Sequence, residues 1–152
     1  MSYVDSNLMS GEDVIYKGTI HWFVFIPGLL MFLISLRLMG LDPENGVGPL
    51  IGVVLLIFSV LSLLKAIIAK ATTELAVTSK RVIAKIGFIR RNTIELNHQK
   101  VESFVVDQSI LGRIFGYGTL VINGTGGGKT PIANIAAPLI FRKEAMQVID
   151  AT

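Results

Sequence analysis

The chain contains no cysteine and only two histidines in 152 residues. The lack of cysteine excludes disulfide scaffolds, thiolate zinc sites, iron–sulfur clusters and cysteine nucleophiles. Charge is also scarce, since charged residues make up 16% of the chain, against about 25% in an ordinary soluble domain. Hydrophobic residues reach 51%, a composition opposite to that of disordered proteins. The distribution of these hydrophobic residues is therefore the most informative feature of the sequence.

Two long apolar runs, residues 22–39 and 49–69, hold most of the hydrophobic excess. As helices they would be about 27 Å and about 31 Å long, close to the hydrocarbon thickness of a bilayer. The alternative is a pair of buried helices in a soluble protein, but a chain this short cannot cover two such helices on all sides. We therefore predict a transmembrane hairpin over residues 21–70, with a turn at 40–48.

Four residues are expected to anchor this hairpin at the membrane interfaces. His21 and Trp22 stand at the start of the first run and have the amphipathic character of interface residues. Arg37 and Lys65 are the single charges of the two runs and lie near their ends, where a long side chain can reach the headgroups.

The charge distribution predicts the orientation of the hairpin. The turn carries two acids and no base, whereas residues 70–152 carry eleven Lys or Arg against six Asp or Glu. The positive-inside rule then places both termini in the cytoplasm. A cleaved signal peptide is the alternative for the first run, but three acids and one base precede it and the run is long. We expect a multi-pass protein of the cytoplasmic membrane.

After the hairpin, residues 71–152 change from helical to strand periodicity. Short alternating segments, separated by turn residues, predict a small antiparallel β-barrel or sandwich. A one- or two-turn helix is expected at 109–115. A final amphipathic helix begins at Pro138 and is expected to cover the barrel rather than lie on a membrane. Residues 1–20 are expected to form a separate cytoplasmic segment.

Several motifs together resemble the bacterial pleckstrin-homology (PH) domain family. The matching segments are 73–87, 100–119, the Gly-Glu-x-Val stretch at 11–14 and His21-Trp22. The resemblance covers nearly the whole chain. It implies a membrane-anchored α+β protein of the bacterial inner membrane, with a two-helix transmembrane hairpin and a seven-stranded PH-like antiparallel β-barrel closed by a C-terminal helix. It implies no enzymatic activity.

Residues 123–130, Asn-Gly-Thr-Gly-Gly-Gly-Lys-Thr, resemble a phosphate-binding P-loop in their last three positions. The first glycine of that motif is replaced by Asn123, and Pro131 follows where a helix must begin. A glycine-rich β-turn is the better interpretation. His98 has no patterned nucleophile or carboxylate partner. We expect no catalytic residues, no metal site and no cofactor.

A basic cluster near the first hairpin of the domain is a candidate contact for anionic lipid. Its residues are Lys80, Arg81, Lys85, Arg90 and Arg91. Positive-inside bias alone also explains these charges. Binding of nucleic acid is not expected, because few aromatic residues lie among the bases.

Two functional classes remain open. The first is a non-enzymatic, membrane-tethered interaction module or scaffold that self-associates or holds another membrane protein at the inner leaflet. The second is an anionic-lipid-binding or membrane-sensing protein that uses the basic cluster. Ser59, Ser62 and Gly52 form a weak small-residue pattern for helix association. A pore or transport subunit is not supported, because neither apolar run carries a polar stripe.

Overall fold

The computed structural model describes residues 3–40, 46–88 and 91–151. Within them the chain forms five α-helices and seven β-strands. The helices are α1 (Tyr3–Ser6), α2 (Ile26–Met39), α3 (Val47–Thr72), α4 (Ile110–Phe115) and α5 (Pro138–Asp150). The strands are β1 (Val14–Gly18), β2 (Glu74–Thr78), β3 (Arg81–Ile86), β4 (Asn92–Asn97), β5 (Val101–Asp107), β6 (Tyr117–Gly124) and β7 (Gly128–Ala136).

The chain divides into two compact units, and the division differs from the predicted domain boundaries. One unit combines Met1–His21 with Ala69–Thr152, and the other is Trp22–Ile68. The segment expected to be separate, residues 1–20, therefore belongs to the same unit as residues 71–152. The physical reason is strand pairing, because β1 lies antiparallel to β2 with Lys17 opposite Ala76 and Gly18 opposite Leu75.

The larger unit contains two antiparallel sheets, ordered β1-β2-β3-β4 and β5-β6-β7. The residues just after β1 connect the sheets, because Ile20 bridges Ile135. The backbone amide of His21 also donates to the carbonyl oxygen of Asn134 at 2.7 Å. This arrangement confirms the antiparallel sheets with a C-terminal helix that the sequence predicts, and the seventh strand is the N-terminal one.

Helix α5 supplies the central side chain of this unit. Phe141 is fully buried and meets Tyr16 and Phe104 edge-on, with ring centroids 5.7 and 6.3 Å apart. Ala145 is also fully buried one turn later. The helix thus packs against both sheets, which agrees with its predicted covering role.

The strand register places the β3–β4 turn at the end of the first sheet where β2 begins and β1 finishes. Glu74, the first residue of β2, pairs with Lys85, and Ile86 pairs with Asn92 across the turn. At the same end β1 finishes, with Gly18 opposite Leu75. The β3–β4 turn therefore lies where the chain leaves β1 for the apolar helices and returns from them.

The smaller unit contains two helices that are long and apolar enough to cross a membrane, Trp22–Met39 and Val47–Thr72. The first begins with a short 3-10 segment at Trp22–Phe25. The predicted helices at 22–39 and 49–69 match these bounds within three residues. Residues 41–45, most of the predicted outer turn, lie outside the described residues.

Small residues bring the two apolar helices close together. The Ser59 hydroxyl donates to the carbonyl oxygen of Gly28 at 2.9 Å. A Cβ atom added to Gly52 would lie 2.7 Å from Cγ of Met39 and 3.0 Å from the carbonyl oxygen of Ser35. Gly52 and Ser59, which the sequence offers for association between chains, are thus used within the hairpin.

Candidate functional site

The fold places the residues of the predicted basic cluster in different environments, and Arg81 is the first that does not lie at the surface. Arg81 is buried, and its Nε and Nη2 atoms each donate to the Glu12 carboxylate at 3.0 Å. Nη1 donates to Glu95 at 2.5 Å and Nη2 to the carbonyl oxygen of Asn7 at 2.7 Å. These partners hold the Arg81 guanidinium in the interior, away from the surface at which the sequence predicts a contact with lipid.

Glu12 is the centre of this buried network. Its carboxylate also accepts hydrogen bonds from the Met9 amide and the Thr78 hydroxyl, both at 2.7 Å. Burial raises the pKa of Glu12, but these two donors and Arg81 outweigh burial and hold the pKa below its ordinary value of 4.5. The network therefore attaches the N-terminal segment to β2 and β3.

Lys85 and Lys80 are also directed towards the N-terminal segment. The Lys85 ammonium lies 3.3 Å from Glu74 and 5.0 Å from the centre of the Tyr3 ring, and its side chain is mostly buried. Lys80 is exposed, and its ammonium donates to the carbonyl oxygen of Ser10 at 2.7 Å. Of these two, Lys80 is the more accessible to an external anion.

The last two members of the basic cluster precede β4. Arg90 lies outside the described residues. Arg91 is exposed and lines a groove that has a volume of about 590 Å³. The fold thus keeps Arg91 at an open surface while it withdraws Arg81 and Lys85.

This groove, which we call the basic groove, lies at the end of the sheet that carries the β3–β4 turn. It is lined by Ile86, Gly87, Arg91, Asn92, Ile94, Lys129, Thr130 and Pro131. Arg91 stands just before β4 and Lys129 lies in β7, so the two cations come from different sheets. No carboxylate is among the described residues that line it. Phe88, in the turn beside it, is 64% exposed.

The polar groups of the basic groove are mostly hydrogen-bond donors. A guanidinium offers five N–H groups and an ammonium three, while Asn92 adds an amide and Thr130 a hydroxyl. Such a set suits an acceptor-rich anion such as a phosphate group. Its volume lies within the usual range of about 300–1,000 Å³ for small-ligand sites.

Lys129 is a cation of this site that the sequence does not predict. In the sequence it stands out only as part of the P-loop-like run. In the structure that run is the hairpin between β6 and β7, with positive φ angles at Gly126 and Gly127. The expected glycine-rich β-turn is present, and it directs Lys129 into β7 beside the basic groove.

Three of the predicted interface anchors, His21, Trp22 and Arg37, lie near the ends of the first apolar helix, whereas Lys65 lies about two turns before the end of α3. His21 belongs to the larger unit, where its ring stacks on Tyr117 with centroids 5.5 Å apart. Trp22, Arg37 and Lys65 are exposed. Their role as anchors stays a prediction.

No group of three or more metal-ligating acids or histidines occurs in residues 3–40, 46–88 and 91–151. The buried carboxylate of Glu12 instead takes part in the hydrogen-bond network described above. Its donors fill the carboxylate oxygens, so the network serves to hold the fold together.

Two antiparallel sheets closed by a C-terminal helix, after a pair of long apolar helices, define a PH-like module. The family model for the bacterial PH domain matches residues 23–151. The chain therefore belongs to the bacterial PH domain family, and this membership suggests a lipid or protein interaction module. Strand β1 lies before the matched residues. Searches of curated proteins and of solved structures gave no match.

Proposed function

We propose that this protein is a non-enzymatic, membrane-tethered PH-like module that binds anionic headgroups at the inner leaflet of the bacterial cytoplasmic membrane. The observation that carries the proposal is the basic groove, in which Arg91 and Lys129 converge without a carboxylate. The ligand is the phosphate-bearing headgroup of an anionic lipid.

The proposed tether is the pair of apolar helices, with both termini in the cytoplasm. Its support is the length and hydropathy of Trp22–Met39 and Val47–Thr72. The excess of basic residues after the second helix supports the orientation. On this topology Arg91 and Phe88 belong to the end of the sheet at which β1 finishes and the chain continues towards the apolar helices.

The proposal is tested by titrating the full chain, held in neutral detergent micelles, with short-chain phosphatidylglycerol. Nuclear magnetic resonance reports binding at the basic groove through the backbone amides of its lining residues Ile86, Gly87, Arg91, Asn92, Ile94, Lys129 and Thr130. Replacing Arg91 and Lys129 with Gln should weaken binding about 30-fold, since each cation near a membrane surface contributes about 1 kcal/mol.

The matched control replaces Lys17 and Lys100 with Gln, because this pair removes the same charge from exposed positions that do not line the basic groove. The control should keep groove binding near the unaltered level. The proposal would be contradicted if short-chain phosphatidylcholine changed the amide resonances of the groove as much as phosphatidylglycerol does. It would also be contradicted if both pairs of substitutions weakened phosphatidylglycerol binding equally.

Self-association is the second candidate function, and the sheet edges favour it. Strands β4 and β5 each end a sheet, and β4 is largely exposed. An exposed edge strand can pair with the same strand of another chain. The test is the mass of the particle in mild detergent, where a closed oligomer supports this candidate and a single chain excludes it.

A further inference from the structure

Helix α4 presents its large apolar side chains to the outside of the unit. Ile110 is 79% exposed, Ile114 is 70% exposed and Leu111 is about half exposed. In a helix that packs on a core these residues would be the buried ones. An exposed cluster of this kind marks an interaction surface.

The inner side of α4 is instead made by glycine and polar contacts. A Cβ atom added to Gly112 would lie 2.5 Å from the carbonyl oxygen of Tyr117. Ser109 caps the helix by accepting from the Gly112 amide at 3.1 Å. The Gln108 amide donates to Tyr117 at 2.9 Å. These contacts hold the helix in place without its isoleucines, which are thus available to a partner.

The start of α5 extends the same surface. The Ala137 amide donates to the carbonyl oxygen of Gly116 at 2.7 Å, which joins the end of α4 to the beginning of α5. Leu139 and Ile140, in the first turn of α5, are each about half exposed. We define the α4–α5 apolar face as Ile110, Leu111, Ile114, Leu139 and Ile140.

Cations border this face. Arg113 is exposed on α4, and Arg142 and Lys143 are exposed one turn after Leu139 and Ile140. No acid occurs at 108–118 or 137–143. An apolar surface with a basic border is complementary to an anionic lipid interface, where the apolar groups enter the acyl boundary and the bases meet the headgroups.

The face also lies close to the point where the chain leaves the unit. His21 stacks on Tyr117, which comes directly after the C-cap of α4 at Gly116. The next residue after His21 is Trp22, where the first candidate membrane span begins. Since α4 is only about 9 Å long, the face lies a short distance from the residue at which the chain leaves the unit.

We propose that the α4–α5 apolar face inserts into the anionic membrane interface as a second contact, separate from the basic groove. This inference rests on the membrane tether of the proposed function but not on its anion site. It assigns the exposed isoleucines of α4 a role in fixing the unit against the bilayer.

The test uses site-directed nitroxide labels on the full chain in nanodiscs that hold one chain each, made from equal amounts of phosphatidylglycerol and phosphatidylcholine. The chain has no cysteine of its own, so Ile114→Cys and Ile110→Cys each give one label site. Thr125→Cys is the control, because the turn after β6 lies about 25 Å along the strand from Tyr117. Power saturation with oxygen and with a water-soluble nickel chelate measures the depth of each label.

The expected result is that labels at 114 and 110 are shielded from the nickel chelate several-fold more than the label at 125, at a depth of about 5–10 Å. Equal nickel access at all three positions would overturn the inference. Shielding that appears only in discs made to hold two chains would also overturn it, since the face would then be covered by a second copy.

In the Arg91→Gln, Lys129→Gln background the shielding should persist, which separates this contact from groove binding. Failure of the chain to enter nanodiscs would remove the tether and this inference together.

Discussion

Arg81 and Glu12 form a two-pronged ion pair in the interior, with Nε and Nη2 each 3.0 Å from a carboxylate oxygen. The two residues are 69 positions apart, and both apolar helices lie between them in the sequence. The pair therefore connects the segment just before β1, which precedes the apolar helices, to β3, which follows them. It makes the N-terminal segment an integral part of the module.

Replacing Glu12 with Gln should strongly weaken the module. The substitution leaves the positive charge of the buried guanidinium partly unbalanced, which lowers the free energy of unfolding by about 3 kcal/mol. Native-state hydrogen exchange at Ile83, which is fully buried in β3, measures the loss. Lys17→Gln is the control, because it breaks the exposed pair with Asp5 and should cost less than about 1 kcal/mol.

The same pair predicts how stability depends on pH. Because the pKa of Glu12 in the folded protein is below 4.5, its contribution is fully present above that pH. It is lost as the pH falls through the folded value, where the carboxylate becomes protonated. The opening free energy at Ile83, obtained from exchange after correction for the intrinsic exchange rate at each pH, should therefore fall less from pH 6 downward in Glu12→Gln than in the unaltered chain. Parallel profiles in the two proteins would contradict this account.

The role of β1 predicts which fragment folds. Residues 71–152 alone lack β1 and Glu12, so this fragment should be poorly folded and aggregate. A chain that joins residues 3–21 to 69–152 through a flexible Gly-Ser linker should give the circular dichroism of a folded β-protein with a cooperative thermal transition. A stable, monomeric 71–152 fragment would show that β1 is dispensable.

Packing within the apolar hairpin predicts that substitutions at two neighbouring positions differ sharply in their effect on stability. Gly52→Ala places a methyl group against Met39 and the carbonyl oxygen of Ser35, and overpacking of this kind costs about 1–3 kcal/mol. Val53→Ala removes a side chain that points away from the other helix and is exposed. Thermal unfolding in detergent should show a lower midpoint for the first variant and little change for the second.

The sequence predicts the elements with strong local patterns. The apolar helices are visible from length and hydropathy, and β2 to β7 are visible from their period-two alternation. Strand β1 is missed because its five residues, including Lys17, pair with a strand that lies some 60 residues away. Local pattern cannot reveal such a partner.

The residues of the candidate site are predicted less completely, because local sequence pattern again does not show which remote residues come together. Arg81 lies in a run of bases, and the sequence predicts it as a lipid contact because Glu12, its two-pronged acid partner, is 69 residues away. Lys129 sits in a glycine-rich run that resembles another motif, and only the pairing of β6 with β7 brings it to the basic groove. The sequence predicts Arg91 from charge alone, and the fold places it in a groove whose described lining residues include no carboxylate.

The central claim, a module held on the cytoplasmic side by a membrane hairpin, is tested most directly by labelling cysteine variants in intact bacterial cells. Val47→Cys lies at the start of α3 and Gln147→Cys on α5, and both positions are exposed. A membrane-impermeant maleimide added from outside should label the Val47→Cys variant in intact cells and the Gln147→Cys variant only after lysis. Labelling of the Gln147→Cys variant in intact cells, or of neither variant before lysis, would contradict the account.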